Sequence, residues 1–111
     1  MSYKPVKFPA VYRIDNRLSF NVPATKFFED KPYIRIAKPE KHISFYPTDR
    51  KEDGYGYYIK DNSIRLSNKL LIARLGMPAR RYYPLRKRPD GLGYYILLSE
   101  WMAESEAKDG D

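Results

Sequence analysis

Arg80, Arg81, Arg86, Lys87 and Arg88 fall within nine residues, with Tyr82 and Tyr83 between them and no acid among them. Four more cations, Arg13, Arg17, Lys60 and Arg65, surround two Asp-Asn pairs, Asp15-Asn16 and Asp61-Asn62. Lys69 and Arg74 add charge to a stretch of helical patterning between Asn68 and Met77. Arginine suits anion recognition because its planar fork meets phosphate oxygens or a guanine edge in a bidentate way. A β-ribbon carrying such side chains has the dimensions to enter a DNA major groove. The competing reading is a solvated strand face whose charges keep sheet edges from pairing. Five cations in nine residues exceed what edge protection requires. The tyrosines offer a second chemistry, since Tyr82, Tyr83, Tyr94 and Tyr95 present flat faces on which single-stranded bases can stack.

Catalysis has little support. His42 is the sole histidine and alternates with Ile43 and Phe45, a pattern of strand packing rather than of a general base. Without cysteine there is no thiol nucleophile, disulfide framework or thiolate metal site. The carboxylates gather in a Pro/Gly-rich connection and at the C-terminal end, where solvent leaves them ordinary. No phosphate-cradling glycine loop and no metal-ligand spacing occurs. The expectation is a non-enzyme without a cofactor or metal.

The elements that must position these residues repeat. VYRIDNRLSFNV, PATKFFED, KPYIRIAK and HISFYP follow one another across residues 11–46, and YYIKDNSIRLS, NKLLIARLGM, RRYYPLRKR and GLGYYILLS across 57–98. Each series has two alternating apolar runs about an Asp-Asn turn, a short helix, and two further strands. Asp15 and Asp61 lie 46 residues apart, a period that points to internal duplication. Leu18, Phe20 and Val22 alternate with Ser19 and Asn21, which places the apolar set on one sheet face. Pro23 fits the first turn of a helix over 24–29 with Phe27 and Phe28 as anchors. Asn68 caps a second helix, in which Leu70, Leu71, Leu75 and Met77 form the stripe that Gly76 and Pro78 end. Arg80–Arg88 and Gly93–Leu98 read as the last strands, joined by a turn at Pro89-Asp90-Gly91. The chain divides into an extended arm over 1–10, a first half-unit over 11–46, a linker over 47–56, a second half-unit over 57–98 and an acidic tail over 99–111, in which Ser99 caps a short helix.

At 111 residues the chain is one domain, because units of about 45 residues are too small to hold separate cores. The net charge of +7 hides an asymmetry. Residues 100–111 hold five acids and one lysine, leaving 20 Lys and Arg against 9 acids in the other 99 residues. A body this basic attracts polyanions, of which nucleic acid is the commonest. No apolar run approaches a membrane span, and the N-terminal residues lack the apolar core of a secretory signal, so a cytoplasmic protein without membrane association is expected.

Ser63–Leu98 resembles the AbrB/MazE swapped-hairpin family of DNA-binding regulators and antitoxins. The likeness rests on Ile64, Arg65 and Leu66 as a second strand, NKLLIARLGM as the helix with its Leu75-Gly76-Met77 close, then YYPLR and GYYILL. The first series keeps Arg17, Leu18 and Pro23 but has no Leu-Gly close, and neither series has the Gly-Asp pair common after the family's helix. The resemblance implies a mainly β, pseudo-twofold barrel made by one chain from two strand-strand-helix-strand-strand units. It also implies duplex DNA binding through Arg13, Arg17, Lys60 and Arg65. A small transcriptional regulator is the first expectation. A single-strand binder using tyrosine stacking is the second, and a protein-binding inhibitor or adaptor from a phage or mobile element, with a homodimer or protein partner, is the third.

Overall fold

A computed structural model describes residues 7–38 and 41–103 of the chain. Asp15 at φ 50°, and Asp61 and Asn62 at φ 56° and 63°, take the left-handed backbone that a two-residue hairpin turn demands. Around them fold β1 (Ala10–Ile14) with β2 (Arg17–Phe20), and β6 (Tyr58–Lys60) with β7 (Ser63–Ser67). The intervening elements are α1 (Val22–Thr25), β3 (Tyr33–Ala37), β4 (His42–Thr48) and β5 (Tyr55–Gly56). After β7 come α2 (Lys69–Leu75), β8 (Arg81–Pro84), β9 (Arg86–Lys87), β10 (Tyr94–Leu97) and β11 (Met102–Ala103). The strands build two antiparallel sheets, one ordered β11-β8-β1-β2-β7-β6 and the other β5-β3-β4-β10-β9. Among the described residues no ladder joins the sheets into a closed barrel.

The core lies between the sheets. Val11, Leu18, Phe20, Ile64 and Leu66 face it from the six-stranded sheet, and Ile34, Ile43, Phe45 and Ile96 from the five-stranded one. Phe20 meets Phe28 edge-on at 5.2 Å and Phe45 at 5.4 Å, so it joins both layers to the turn after α1. Two polar side chains lock α1 against the strands. The buried Thr25 hydroxyl donates to the Phe20 carbonyl at 3.1 Å and accepts from Ile64 N–H at 2.9 Å. Asn21 Oδ1 caps α1 by accepting from Ala24 N–H while also accepting from Ala10 N–H. Asn68 caps α2 through Leu71 N–H, and Gly76 ends that helix at φ 65°.

The pairing registers carry a regular relation. In β2–β7, Leu18 opposes Leu66 and Phe20 opposes Ile64, so the ladder is symmetric about Ser19–Arg65, residues 46 positions apart. In β4–β10, Phe45 opposes Tyr94 and Ile43 opposes Ile96, which makes that ladder symmetric about Ser44–Tyr95, 51 positions apart. The cross-pairings agree with both spacings. Ala10 opposes Pro84, and Gly56, 46 beyond Ala10, opposes Tyr33, 51 before Pro84. The five extra positions fall between Leu66 and Pro84, where α2 spans seven residues against four in α1.

Several local expectations differ from the structure. α1 occupies 22–25 and gives way to turns through Asp30, leaving Phe28 buried and Phe27 at the surface. Within α2 the buried residues are Leu71, Ile72 and Leu75, while Leu70 is 77% exposed. The 80–88 stretch is two strands in different sheets, broken at the buried Leu85, whose N–H donates to the Pro9 carbonyl at 2.8 Å. Ser99 leads into a turn and β11 rather than a helix, and the 47–56 segment contains β5. Residues 1–6 of the arm, the turn residues Pro39 and Glu40, and the tail from 104 onward lie outside the described residues.

Phe20→Ala should lower unfolding free energy by about 3–5 kcal/mol through lost burial and an unfilled cavity. Phe27→Ala, which removes a 37%-exposed ring stacked on Tyr94, should cost about 1 kcal/mol. Urea denaturation of both variants checks the contrast.

Candidate nucleic-acid interface

Strand alternation sends Leu18, Phe20, Ile64 and Leu66 inward and their neighbours to the outer face of the six-stranded sheet. The ladders align Met102, Tyr82, Tyr12, Ser19, Arg65 and Tyr58 in one row across all six strands. A second row is Ile14, Arg17 and Ser67, and a third pairs Lys60 with Ser63. Tyr12 and Tyr82 pack ring to ring at 4.5 Å, tilted by 33°. Tyr12 and Tyr58 stand 46 positions apart, on either side of Ser19–Arg65. Three strand spacings of about 4.8 Å separate them, or about 14 Å.

Two arginines of this face have donors to spare. Arg65 is half-buried with its side chain 22% exposed, and its Nη2 lies 3.9 Å from Asp61 Oδ2, too long for a hydrogen bond. The Nε atoms of both Arg65 and Arg17 are buried without a hydrogen-bond partner. Those two Nε atoms are closed to solvent, so what each arginine offers a ligand is the open end of its guanidinium, as in Arg65, where the side chain is 22% exposed. Lys60 is exposed at the tip of the same hairpin.

The other expected cations are differently placed. Arg13 turns to the opposite face, where Nε donates to the Asp15 carbonyl at 3.0 Å and Nη1 to the Met77 carbonyl, tying the first turn to the segment after α2. Lys69 and Arg74 are exposed on α2, and Arg74 lines a cleft with Lys38 and Tyr55. The concentrated run does not form one patch. Arg80 sits at φ 63° with its N–H on the Arg13 carbonyl at 2.8 Å. Arg81 lies over the Trp101 ring at 3.8 Å. Arg86 holds Glu100 in a fork, Nε to Oε1 at 2.8 Å and Nη2 to Oε2 at 2.6 Å. Arg88 grips Asp90 at 3.0 Å and donates to Ser44 Oγ at 2.8 Å. Lys87 is exposed on β9, in the other sheet.

The tyrosines divide in the same way. Tyr83 is fully buried and unable to stack on a base, with no hydrogen-bond partner for its hydroxyl. Burial pushes that hydroxyl's pKa up, against the opposing pull of the Arg81 and Arg13 guanidiniums. Tyr94 is stacked on Phe27 at 4.5 Å and edge-on to Phe28, so its face is taken. Tyr95 meets His42 edge-on along the β4–β10 ladder, their rings 6.1 Å apart. Tyr82 stays on the outer face beside Tyr12. Tyr12, Tyr58 and Ser19 went unread as site residues in the sequence, although the 46-residue period places Tyr12 and Tyr58 at matching positions.

Among the described residues no helix is long and apolar enough to cross a membrane, and no group of three or more His, Asp or Glu gathers to hold a metal ion. Comparison with protein-family models, with curated proteins and with solved structures finds no match.

The Arg86 fork holds the Glu100 carboxyl below its ordinary range, and the Arg88 contact does the same for Asp90. A depressed carboxylate contributes stability above its unfolded pKa and loses it as pH falls through the folded one. Melting temperature should therefore decline on acidification below the ordinary Glu range of about 4.3, and decline less in Glu100→Gln. The effect is small, because both partners of the fork are more than a third exposed and solvent screens them. Thermal melts of the two proteins between about pH 6 and 3 check it.

Proposed function

We propose that the protein binds duplex DNA through the outer face of its six-stranded sheet, as a small DNA-binding protein of the regulator type. The observation that carries this reading is the pair of arginines, Arg17 and Arg65, half-buried on one outer face of neighbouring strands, with guanidinium Nη donors that no acid among the described residues holds at hydrogen-bond distance. Phosphate and base-edge oxygens are the acceptors such donors fit. Lys60 extends the positive surface along the hairpin. The ladder symmetry about Ser19–Arg65 supports a duplicated unit, with a two-sided face suited to a duplex whose backbones are themselves related by dyads. It also supports a swapped-hairpin relation, since β8 pairs with β1 and β3 with β5, each hairpin's following strand crossing to the other side.

Tyr58, 48% exposed in the same row, favours a second reading, in which a single-stranded base stacks on the sheet.

Gel-shift titration with duplex and single-stranded DNA separates the two. Duplex affinity should fall steeply between about 50 and 200 mM salt, as counterion release requires. Arg17→Ala and Arg65→Ala should each weaken it about tenfold, and Arg86→Ala, whose charge Glu100 already balances, by less than about twofold. Affinity insensitive to salt would overturn DNA binding altogether. Preference for the single strand, lost in Tyr58→Ala, would replace the duplex reading with the stacking one.

A further inference from the structure

The register relation between the two hairpins fails at one place, and the failure leaves a strand edge open. In a two-residue hairpin the residues flanking the turn exchange hydrogen bonds, and the next residue out points its N–H and C=O away from its partner. In β1 that residue is Arg13, and Arg80 N–H meets its outward carbonyl at 2.8 Å as β8 covers the edge. In β6 the corresponding residue, 46 positions on, is Ile59. The residues that would cover it, 51 positions before Arg80–Tyr83, are Glu29, Asp30, Lys31 and Pro32. These form turns after α1, and Pro32 has no N–H to give. β6 is accordingly the end strand of its sheet, and all three of its residues are exposed.

The open edge carries one charge, Lys60, beside two exposed apolar residues. Ile59 and Tyr58 are each 48% exposed, and Val22, which lines the same cleft as Ile59, is 43% exposed. We infer that β6 pairs with β6 of a second copy of this chain, antiparallel and centred on Ile59. A twofold axis permits that register, and it makes Ile59 and its mate a hydrogen-bonded pair, using the N–H and C=O that β7 leaves free. Ile59 then packs on Ile59 of the other copy beside the two Val22 side chains. On the outer face each Tyr58 lies opposite a Lys60, so a ring covers a lysine stem and no like charges stand directly opposed. The rim carries Lys26 and Glu29, one charge of each sign, so neither copy presents a single-sign repulsive field. A contact of three-residue strands is far below a standard interface, so the association is of the weak, concentration-dependent class.

Sedimentation equilibrium of the full chain from about 10 µM to about 1 mM reads this association. The weight-average mass should climb toward twice the monomer, and Ile59→Lys, which sets like charges across the axis, should weaken dimerisation at least about tenfold with unchanged far-UV circular dichroism. Ile59→Pro removes the outward N–H without touching the β7 ladder and should do the same. Amide shifts measured against wild-type concentration provide a readout free of any variant's folding. Movement confined to the Tyr58–Lys60 edge and Val22 supports the pairing. A monomer throughout the range, or shifts centred on β11 or the five-stranded sheet, overturns it. The two readings share only Lys60, and the DNA reading stands or falls on Arg17 and Arg65, which lie on the sheet face and not on its edge.

Discussion

The β2–β7 ladder is the constraint on which the rest of the molecule depends. Its register puts Leu18 against Leu66 and Phe20 against Ile64 on the core side, and by alternation Arg17, Ser19 and Arg65 on the other. A slip of one residue would turn one strand over relative to the other, burying its guanidinium and exposing its two large apolar side chains. Burying unpaired charge costs several kcal/mol per group, so the core and the outer face are specified by the same pairing. Thr25 reinforces that register from outside the ladder, since its hydroxyl bonds the Phe20 carbonyl and the Ile64 amide at once. The turn geometry at Asp15 and at Asp61-Asn62 then fixes where β1 and β6 fall, and with them Tyr12 and Tyr58.

The molecule departs from strict symmetry in a way that follows from the length of one connection. Five additional residues between the second hairpin and β8 give room for a capped helix of seven residues and a strand that runs back along β1. The first connection is too short for this, ends in Pro32, and reaches its partner only at Tyr55–Gly56. Compensation on the short side comes from Tyr57, whose hydroxyl lies between the carbonyls of Phe28 and Lys31, gives its one proton to that pair and so pins the turns that stand in place of a strand. The covered side is the more rigidly built, with Arg13 tied to Met77, Arg81 over Trp101 and β11 closing the edge. The chain is thus polarised, closed at β11 and open at β6.

What the sequence disclosed and what it concealed can be told apart residue by residue. The Asp-Asn turns, the Asn68 cap, the Gly76 terminus and the inward pair Leu18 and Phe20 were legible because each depends on chemistry within a few positions, whereas Asn21, read as a strand residue, caps α1 and turns Val22 out to the surface. Leu85 was not legible either, since the break it makes between β8 and β9 depends on burial and on a hydrogen bond to Pro9, 76 positions away. The same reason hid β11, which forms only because Met102 and Ala103 find the free side of β8. Tyr83 and Tyr82 are adjacent and identical in type, yet one is core and the other surface. Strand alternation predicts that they differ, and the pairing with Val11 decides which is which.

Charge density along a chain is a poor guide to charge density in space, and the 80–88 run shows why. A strand shows alternate side chains to opposite faces, and a break at Leu85 sends its two parts to different sheets, so five neighbouring cations disperse. Glu100 and Asp90 then neutralise Arg86 and Arg88 at hydrogen-bond distance. The cations left with donors to spare come instead from sparse positions, Arg17 and Arg65, 48 residues apart in sequence and on neighbouring strands of one face. Their guanidiniums are partly desolvated by the surrounding sheet, and charge–ligand interactions strengthen as water is excluded. An anion meeting this face gains more from each such arginine than from a fully hydrated one. Two half-buried guanidiniums on one face therefore outweigh a longer run in which Arg86 and Arg88 are held by acids and Lys87 stands apart on the other sheet.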